Sequence, residues 1–470
     1  MKGLPMSQSP PRTGDSLEQR TIDWIPPSER HGRPRSLFFV WFAANTSITA
    51  LVTGALFVIL GNSALWSIVA ILIGNAIGGW VTALHSAQGP KLGVPQMIQS
   101  RAQFGYYGAI LPLILALLIY LGFYATGLVL GGQALGSLLH ISPKVGAGIF
   151  AAFSTVLAIV GYRWIHRFSR FAAVVSGIVF VILLIVMLTG HDNSSLWETN
   201  KGFAVAPFIL GISLSASWQL TFGPYIADYS RYLPEATSQR ATIGWTFLGS
   251  MAGASLAMVA GAFAAALGGS SFSENQVAYL AGLFGIFAWV MSLAVAIGKL
   301  VGNTLSSYGG FMSLATIVTA LTQKSVITAR ARAAYIVLIS LVSYGTAVLA
   351  TENFIANFTN FLLFLLYFII PWSAINLVDF YLIREKSYDI KALFDPNGRY
   401  GKFNVTAFVA YFAGVIVQIP FMNTSVYVGA IADLLGGAEI AWIFGLIVSG
   451  FLFFALTSAR NKSNQKVIAS

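Results

Sequence analysis

Apolar runs long enough to cross a bilayer recur twelve times between residues 36 and 458, separated by short polar breaks. A membrane-spanning helix needs about 20 apolar residues. The pattern therefore predicts an all-α integral membrane protein. The runs read 36–60, 64–84, 108–139, 144–161, 171–189, 203–227, 243–267, 286–320, 333–350, 357–383, 403–420 and 438–458. Composition agrees: 56% of the 470 residues are hydrophobic and 9% charged, with a mean hydropathy of +0.75. A soluble surface on a chain of this size draws on about 25% charged residues.

The net charge of +11 could signal nucleic-acid binding, but the basic residues sit in the breaks between apolar runs, where they set orientation. With the N-terminus in the cytosol, they fall inside in the arm (Lys2, Arg12, Arg20, Arg30, Arg33, Arg35), at Lys91 and Arg101, and at Arg163, Arg167 and Arg170. Later cytoplasmic breaks and the tail, from Arg231 through Lys324 to Lys466, complete the set. Only Lys144 and Lys201 fall outside, and Lys299 lies within a span. Twelve spans in the plasma (inner) membrane, with both termini cytoplasmic, follow from this count. Residues 1–35 have no apolar core and read as a cytoplasmic arm, not a cleavable signal peptide; 459–470 read as a cytoplasmic tail. Lipid is the expected surrounding partner, no nucleic acid is expected, and the sequence specifies no oligomeric state.

Several chemistries are excluded early. There are no cysteines, and the five histidines lie far apart without metal-ligand spacing. No cofactor or metal is expected. The spans lack the paired titratable groups of an enzyme and the charged rings or repeated pore loops of a channel. A GxxxxGK nucleotide loop is also missing, so ATP does not drive the protein directly.

Two spans carry flaws where a structural helix would be continuous. The first bunches Asn45, Thr46, Ser47 and Thr49 at mid-depth, and the sixth bunches Gln219, Thr221, Gly223 and Pro224. Broken backbone inside a membrane is tolerated only around a cavity or a protein-buried site. Five spans separate the two breaks, the period of a five-plus-five inverted repeat whose discontinuous helices build a midplane substrate site. The third and eighth spans, which correspond in the same scheme, are both long. The repeats are 36–190 and 203–383, with two extra helices in 403–458.

Lys299, in AWVMSLAVAIGKLVGNTLSSYGGFM, is the most informative single residue. A charge near the bilayer centre costs at least a few kcal/mol. Asn303 and Ser306 follow at four and seven residues and Ser292 precedes at seven, which forms a polar seam on an apolar helix. No acid is near in sequence. Desolvation disfavours the charged form of such a lysine, so it can exchange a proton or stand in for a metal cation. Asp228 and Asp379, at the cytoplasmic ends of their spans, read as structural caps and gate pairs.

The segments HSAQGPKLGVPQMIQSRAQFG (85–105), PYIADYSRYLP (224–234), GNTLSSYGGFMS (302–313) and PWSAINLVDFY (371–381) together resemble the purine/cytosine permeases of the nucleobase:cation symporter family. The resemblance implies a LeuT-like fold and a planar heterocycle clamped between aromatic side chains of the third and sixth spans. Amides of the sixth and eighth spans would hydrogen-bond the ring. Carried over by position, Phe123 in YLGFYATG stands where the family often has tryptophan, with Gly127 one turn on. Trp218 stands near the second clamp, with Gln219 and Phe222 as alternative registers. Asn303 matches the first asparagine of an Asn-x-x-Asn-x-Tyr pattern, and Ser306 replaces the second. Asn45, at the first break, completes the substrate set. Aromatic faces suit a flat ring, and an amide offers its polar edge one donor and one acceptor.

Sodium-dependent members of this fold use hydroxyls in the eighth span one to two turns before the substrate asparagine. Here that stretch, 294–299, has no hydroxyl and ends in Lys299. A lysine charge and sodium at one place repel strongly in low dielectric, so protons are the favoured coupling ion and sodium the alternative. The expected function is import of a neutral nucleobase or related heterocycle, such as cytosine, a purine, allantoin or a hydantoin, by cation symport. The alternative is a sodium-coupled carrier of the same fold for an amino acid or other small solute. An amino-acid carboxylate would use a glycine-rich break in the first span; here the break reads AANTSIT.

Overall fold

A computed structural model describes residues 23–160, 162–190, 193–197, 202–323 and 328–469, with the backbone alone at 160, 162–173, 195 and 462–469. Lys2, Arg12, Arg20, Lys201 and Lys324, and the side chains of Arg163, Arg167, Arg170, Lys462 and Lys466, lie outside it. Among the described residues the regular structure is helical, with one isolated bridge, Asn423 to Val428, and no strand.

The first half comprises α1 (Ser36–Asn45), α2 (Ile48–Ile59), α3 (Ala64–Ser86), α4 (Gln88–Leu92), α5 (Gln96–Phe104), α6 (Ile110–Leu139), α7 (Pro143–Val160), α8 (Tyr162–Thr189) and the short α9 (Ser194–Trp197). The second comprises α10 (Val205–Leu220), α11 (Ile226–Ser230), α12 (Gln239–Glu274), α13 (Gln276–Gly282), α14 (Ala288–Thr322), α15 (Ala329–Ala350) and α16 (Phe354–Val378). After these come α17 (Val405–Gln418), the short α18 (Ala430–Leu434) and α19 (Ala441–Ala469). Among the described residues, seven helical stretches are long and apolar enough to cross a membrane, and the bent pair α1–α2 makes an eighth. Pro143–Ile159, Val174–Thr189 and Val405–Phe421 are apolar but shorter. The outer surface is apolar too: Ile178, Ile185, Leu341, Ile447 and Phe451 are each more than half exposed. An apolar patch of that extent is a lipid-facing surface.

Both expected breaks are present. The first span bends by 58° between Asn45 and Ile48, and its polar residues bond the freed backbone. Thr46 Oγ1 and Asn45 Nδ2 donate to the carbonyls of Phe42 and Trp41, both at 2.8 Å, and Ser47 Oγ accepts from Ala50 N. In the sixth, α10 ends at Leu220, a 3-10 turn covers Gly223–Tyr225, and α11 resumes. Thr82 and Thr221 donate to the carbonyls of Gln219 and Trp218. The sequence motif thus encodes both the break and its repair.

The helices pack in two groups. One unites α1, α2, α3, α10 and α12; the other unites α6, α7, α14 and α15. In the first group α2 and α12 touch backbone to backbone, because a Cβ on Gly261 would overlap the carbonyl oxygen of Leu51. α16, α17 and α19 form a third layer. The connection after α3, expected to be a loop carrying Lys91 and Arg101, instead folds as α4 and α5, and α5 is buried along its whole length. Periodicity does not show this because the buried face is polar. Gln103 Nε2 donates to Asp379 Oδ2 at 2.9 Å, and Arg101 donates to the carbonyl of Leu393 at 3.0 Å. Asp379 also accepts from Tyr388 and pairs with Arg384 at 3.0 Å. Asp228 Oδ1 accepts from the backbone N–H of Gln96, the first residue of α5. Both acids tie α5 to the chain around it.

Candidate functional site

Where the two helix groups face each other, the expected aromatic pair meets. Phe123 on α6 and Trp218 on α10 lie edge to face, with ring centroids 5.5 Å apart at 87°. This is a favoured geometry for neighbouring rings. Phe361, from α16, packs on the far side of Phe123 at 5.3 Å, and Phe222 packs against both Trp218 and Trp41. The indole of Trp218 is fixed by Asn45, whose Oδ1 accepts from Trp218 Nε1 at 2.8 Å.

Asn303 approaches α6 from α14, one turn along from Phe123. It lies against Gly127, where any Cβ would overlap its Oδ1, so only glycine admits α14 this close to α6. The amide nitrogen of Asn303 is buried, yet has no hydrogen-bond partner among the described residues. An unpaired buried donor costs about 1–3 kcal/mol. Ser307, one turn further along α14, is likewise buried with its hydroxyl unpartnered.

Lys299 is buried, one turn before Asn303, and its ammonium donates to the hydroxyl of Thr49, just past the break in the first span. It points into the protein, between the two helix groups. No carboxylate pairs with it among the described residues. Ser292, at the other end of the expected seam, contacts Ser137 of α6 at 3.1 Å.

Three of the expected site residues have their polar groups turned to other partners or lie less deeply buried. Asn45 belongs to the cluster, but its amide is spent within the protein: besides accepting from Trp218, it donates to Trp41 O and Ser250 Oγ. Gln219 faces away from the rings toward α3 and α12, donating to Asn75 Oδ1 at 2.9 Å and accepting from Ser250 Oγ at 2.5 Å. Neither amide is left free for a ligand. Ser306 is half-buried, and Ser307 takes the inward position. The signal for Ser307 was its four-residue step from Asn303; nothing local in the sequence marks Phe361 as a neighbour of Phe123. Among the described residues no group of three or more His, Asp or Glu could hold a metal ion.

Comparison with known proteins shows the family and the fold. Residues 24–445 match the profile of a family described as permeases for cytosine/purines, uracil, thiamine and allantoin. A Bacillus subtilis protein named as a purine-cytosine permease is 40% identical over 95% of this chain and 97% of its own length. A purine-cytosine permease of Emericella nidulans is 25% identical over 94% of this chain and 88% of its own. The fold is that of Mhp1: its inward-facing structure superposes with a TM-score of 0.76 at 18% identity, covering 96% of this chain and 95% of that one. A closed Mhp1 structure, a nucleobase-cation-symport-1 transporter with bromovinylhydantoin bound, gives 0.75 at 18% identity over 95% and 96%. These relatives are transporters, not enzymes.

Proposed function

Because the chain belongs to the family of permeases for cytosine/purines, uracil, thiamine and allantoin, we propose that it imports a neutral nucleobase, or a related ring such as allantoin or a hydantoin, by proton symport with alternating access. The observation that carries this reading is the buried amide nitrogen of Asn303, unpaired among the described residues and packed on Gly127 one turn from Phe123, which meets Trp218. A ring entering between the aromatic faces would give that donor an acceptor and recover its desolvation cost. Ser307 offers a hydroxyl as a second polar group on the same helix. Asn45 acts through Trp218, holding the indole in place, and Gly127 makes room for Asn303.

The coupling ion in this proposal is the proton, carried by Lys299. A buried ammonium that meets only a hydroxyl, with no counter-ion, is stable only if its charge can be shed or used. A sodium ion beside it would face direct repulsion. The break in the first span also gives little to an amino-acid carboxylate, since the backbone N–H groups of Thr46 and Ser47 already bond the carbonyls of Phe42 and Asn45.

Twelve spans, in two inverted repeats plus a final pair, complete the proposal. The stretch Ala329–Ile383 has 55 residues, about 80 Å of helix, more than twice a hydrocarbon core of about 30 Å. It divides at the 3-10 turn Thr351–Asn353 into two spans. Lys144 and Glu352, expected on the same side, are joined at 2.9 Å, and Asn62 reaches the carbonyl of Pro207 at 2.8 Å. The connections α4–α5 and α13 occupy matching places, five spans apart. We assign the plasma membrane and cytoplasmic termini on the charge distribution.

The test is thermal unfolding of the purified protein with cytosine, uracil, adenine, hypoxanthine, allantoin and hydantoin, with leucine as a control. A ligand at a hundred times its Kd stabilises by about 2.7 kcal/mol. A shift with leucine and with no heterocycle would defeat the proposal.

A further inference from the structure

One helical turn from the Phe123–Trp218 pair, on the side of α5, lies a second aromatic pair. Tyr120 of α6 and Tyr225 of the 3-10 turn stack with centroids 5.4 Å apart and an interplanar angle of 29°. Phe222 bridges the pairs, 5.8 Å from Trp218 and 5.9 Å from Tyr225. The rings therefore form two rungs between the same two helices. The tyrosine rung also reaches α14, where a Cβ on Gly309 would lie within van der Waals overlap of the Tyr120 ring and one on Gly310 would meet its Cβ. Adjacent glycines thus make a flat bed for the tyrosine. Stacking of the two rings and their packing on the glycines close this rung.

From this geometry we infer that Tyr120 and Tyr225 are the cytoplasmic gate of the site. Tyr120 belongs to the group of α6, α7, α14 and α15, and Tyr225 to the group containing α10. Any movement of one group against the other that opens a path toward α5 must part this stack. Because Tyr225 sits in the 3-10 turn between α10 and α11, it can swing with α11 while Trp218 stays with α10. The second rung is then a floor that separates from the first, so substrate can be held by Phe123 and Trp218 while the floor opens. The inference rests on the proposed transport function for what passes through the gate and on the proposed orientation for the face it serves.

The chain has no cysteine, so a single Phe222→Cys reporter, lying between the rungs, can be labelled in inside-out vesicles with a membrane-impermeant maleimide. Adding Tyr120→Ala is expected to speed labelling from the cytoplasmic face by roughly two- to tenfold, the worth of one aromatic pair. Gly309→Ala, which displaces Tyr120 without removing a ring, is expected to act in the same direction. Tyr120→Leu replaces the alanine variant if that one elutes as an aggregate. Labelling rates unchanged by these substitutions in monodisperse protein would overturn the gate. Millimolar cytosine should slow labelling of the reporter. If it does not, while Tyr120→Ala still speeds the reaction, the gate stands and the choice of substrate falls.

Discussion

Asn303 and Lys299 sit one turn apart on α14, and their different partners assign them different work. The Asn303 amide nitrogen has none among the described residues, so its desolvation is offset only when a ligand supplies an acceptor. Asn303→Ala is expected to weaken cytosine binding roughly 5- to 150-fold, the range set by about 1–3 kcal/mol, with little change in the melting temperature of the ligand-free protein. Isothermal titration alongside thermal unfolding separates these effects. Lys299 instead holds Thr49 across the interface of the two helix groups. Lys299→Ala should abolish concentrative uptake while cytosine binding persists within a few-fold, because the lysine does not touch the rings. The polar seam made both residues legible in sequence. That Asn45 and Gln219 are occupied was not legible, since their partners Ser250 and Asn75 come from helices far along the chain.

At the scale of the element, the breaks in the first and sixth spans were readable because hydroxyl and amide side chains beside a helix end are the local means of bonding freed backbone. α5 was not readable, because its buried face is made of Gln96, Gln99, Arg101 and Gln103, which in sequence resemble a solvated connection. Its stability depends on Asp379, which takes Gln103, Tyr388 and Arg384 together. Asp379→Ala removes the buried acceptor shared by Gln103, Tyr388 and the partly exposed Arg384 and is expected to cost about 1–3 kcal/mol, measured as a lowered melting temperature. The crossing of α2 and α12 sets another limit. Gly261→Ala inserts a methyl into the backbone contact with Leu51, and overpacking of this kind costs about 1–3 kcal/mol; a Gly261→Ala protein as stable as the parent would contradict the contact.

For the whole molecule, the proposed site lies between two separately packed helix groups, so the proposed transport cycle predicts a relative movement of those groups. Uptake in reconstituted vesicles should rise as external pH falls and stay the same when sodium is replaced by potassium. Sodium-stimulated uptake at constant pH would exclude Lys299 as the coupling group. The sequence by itself determined the medium, the helical class and the two broken spans, because each is a local matter of apolar length and backbone hydrogen bonding. Only the tertiary structure decided which polar groups remain open to a ligand. An amide counts as free or spent according to what packs against it, and here those neighbours lie up to 205 residues away. The tyrosine floor had the same origin, since two glycines and a turn from distant helices shape a bed that no single segment describes.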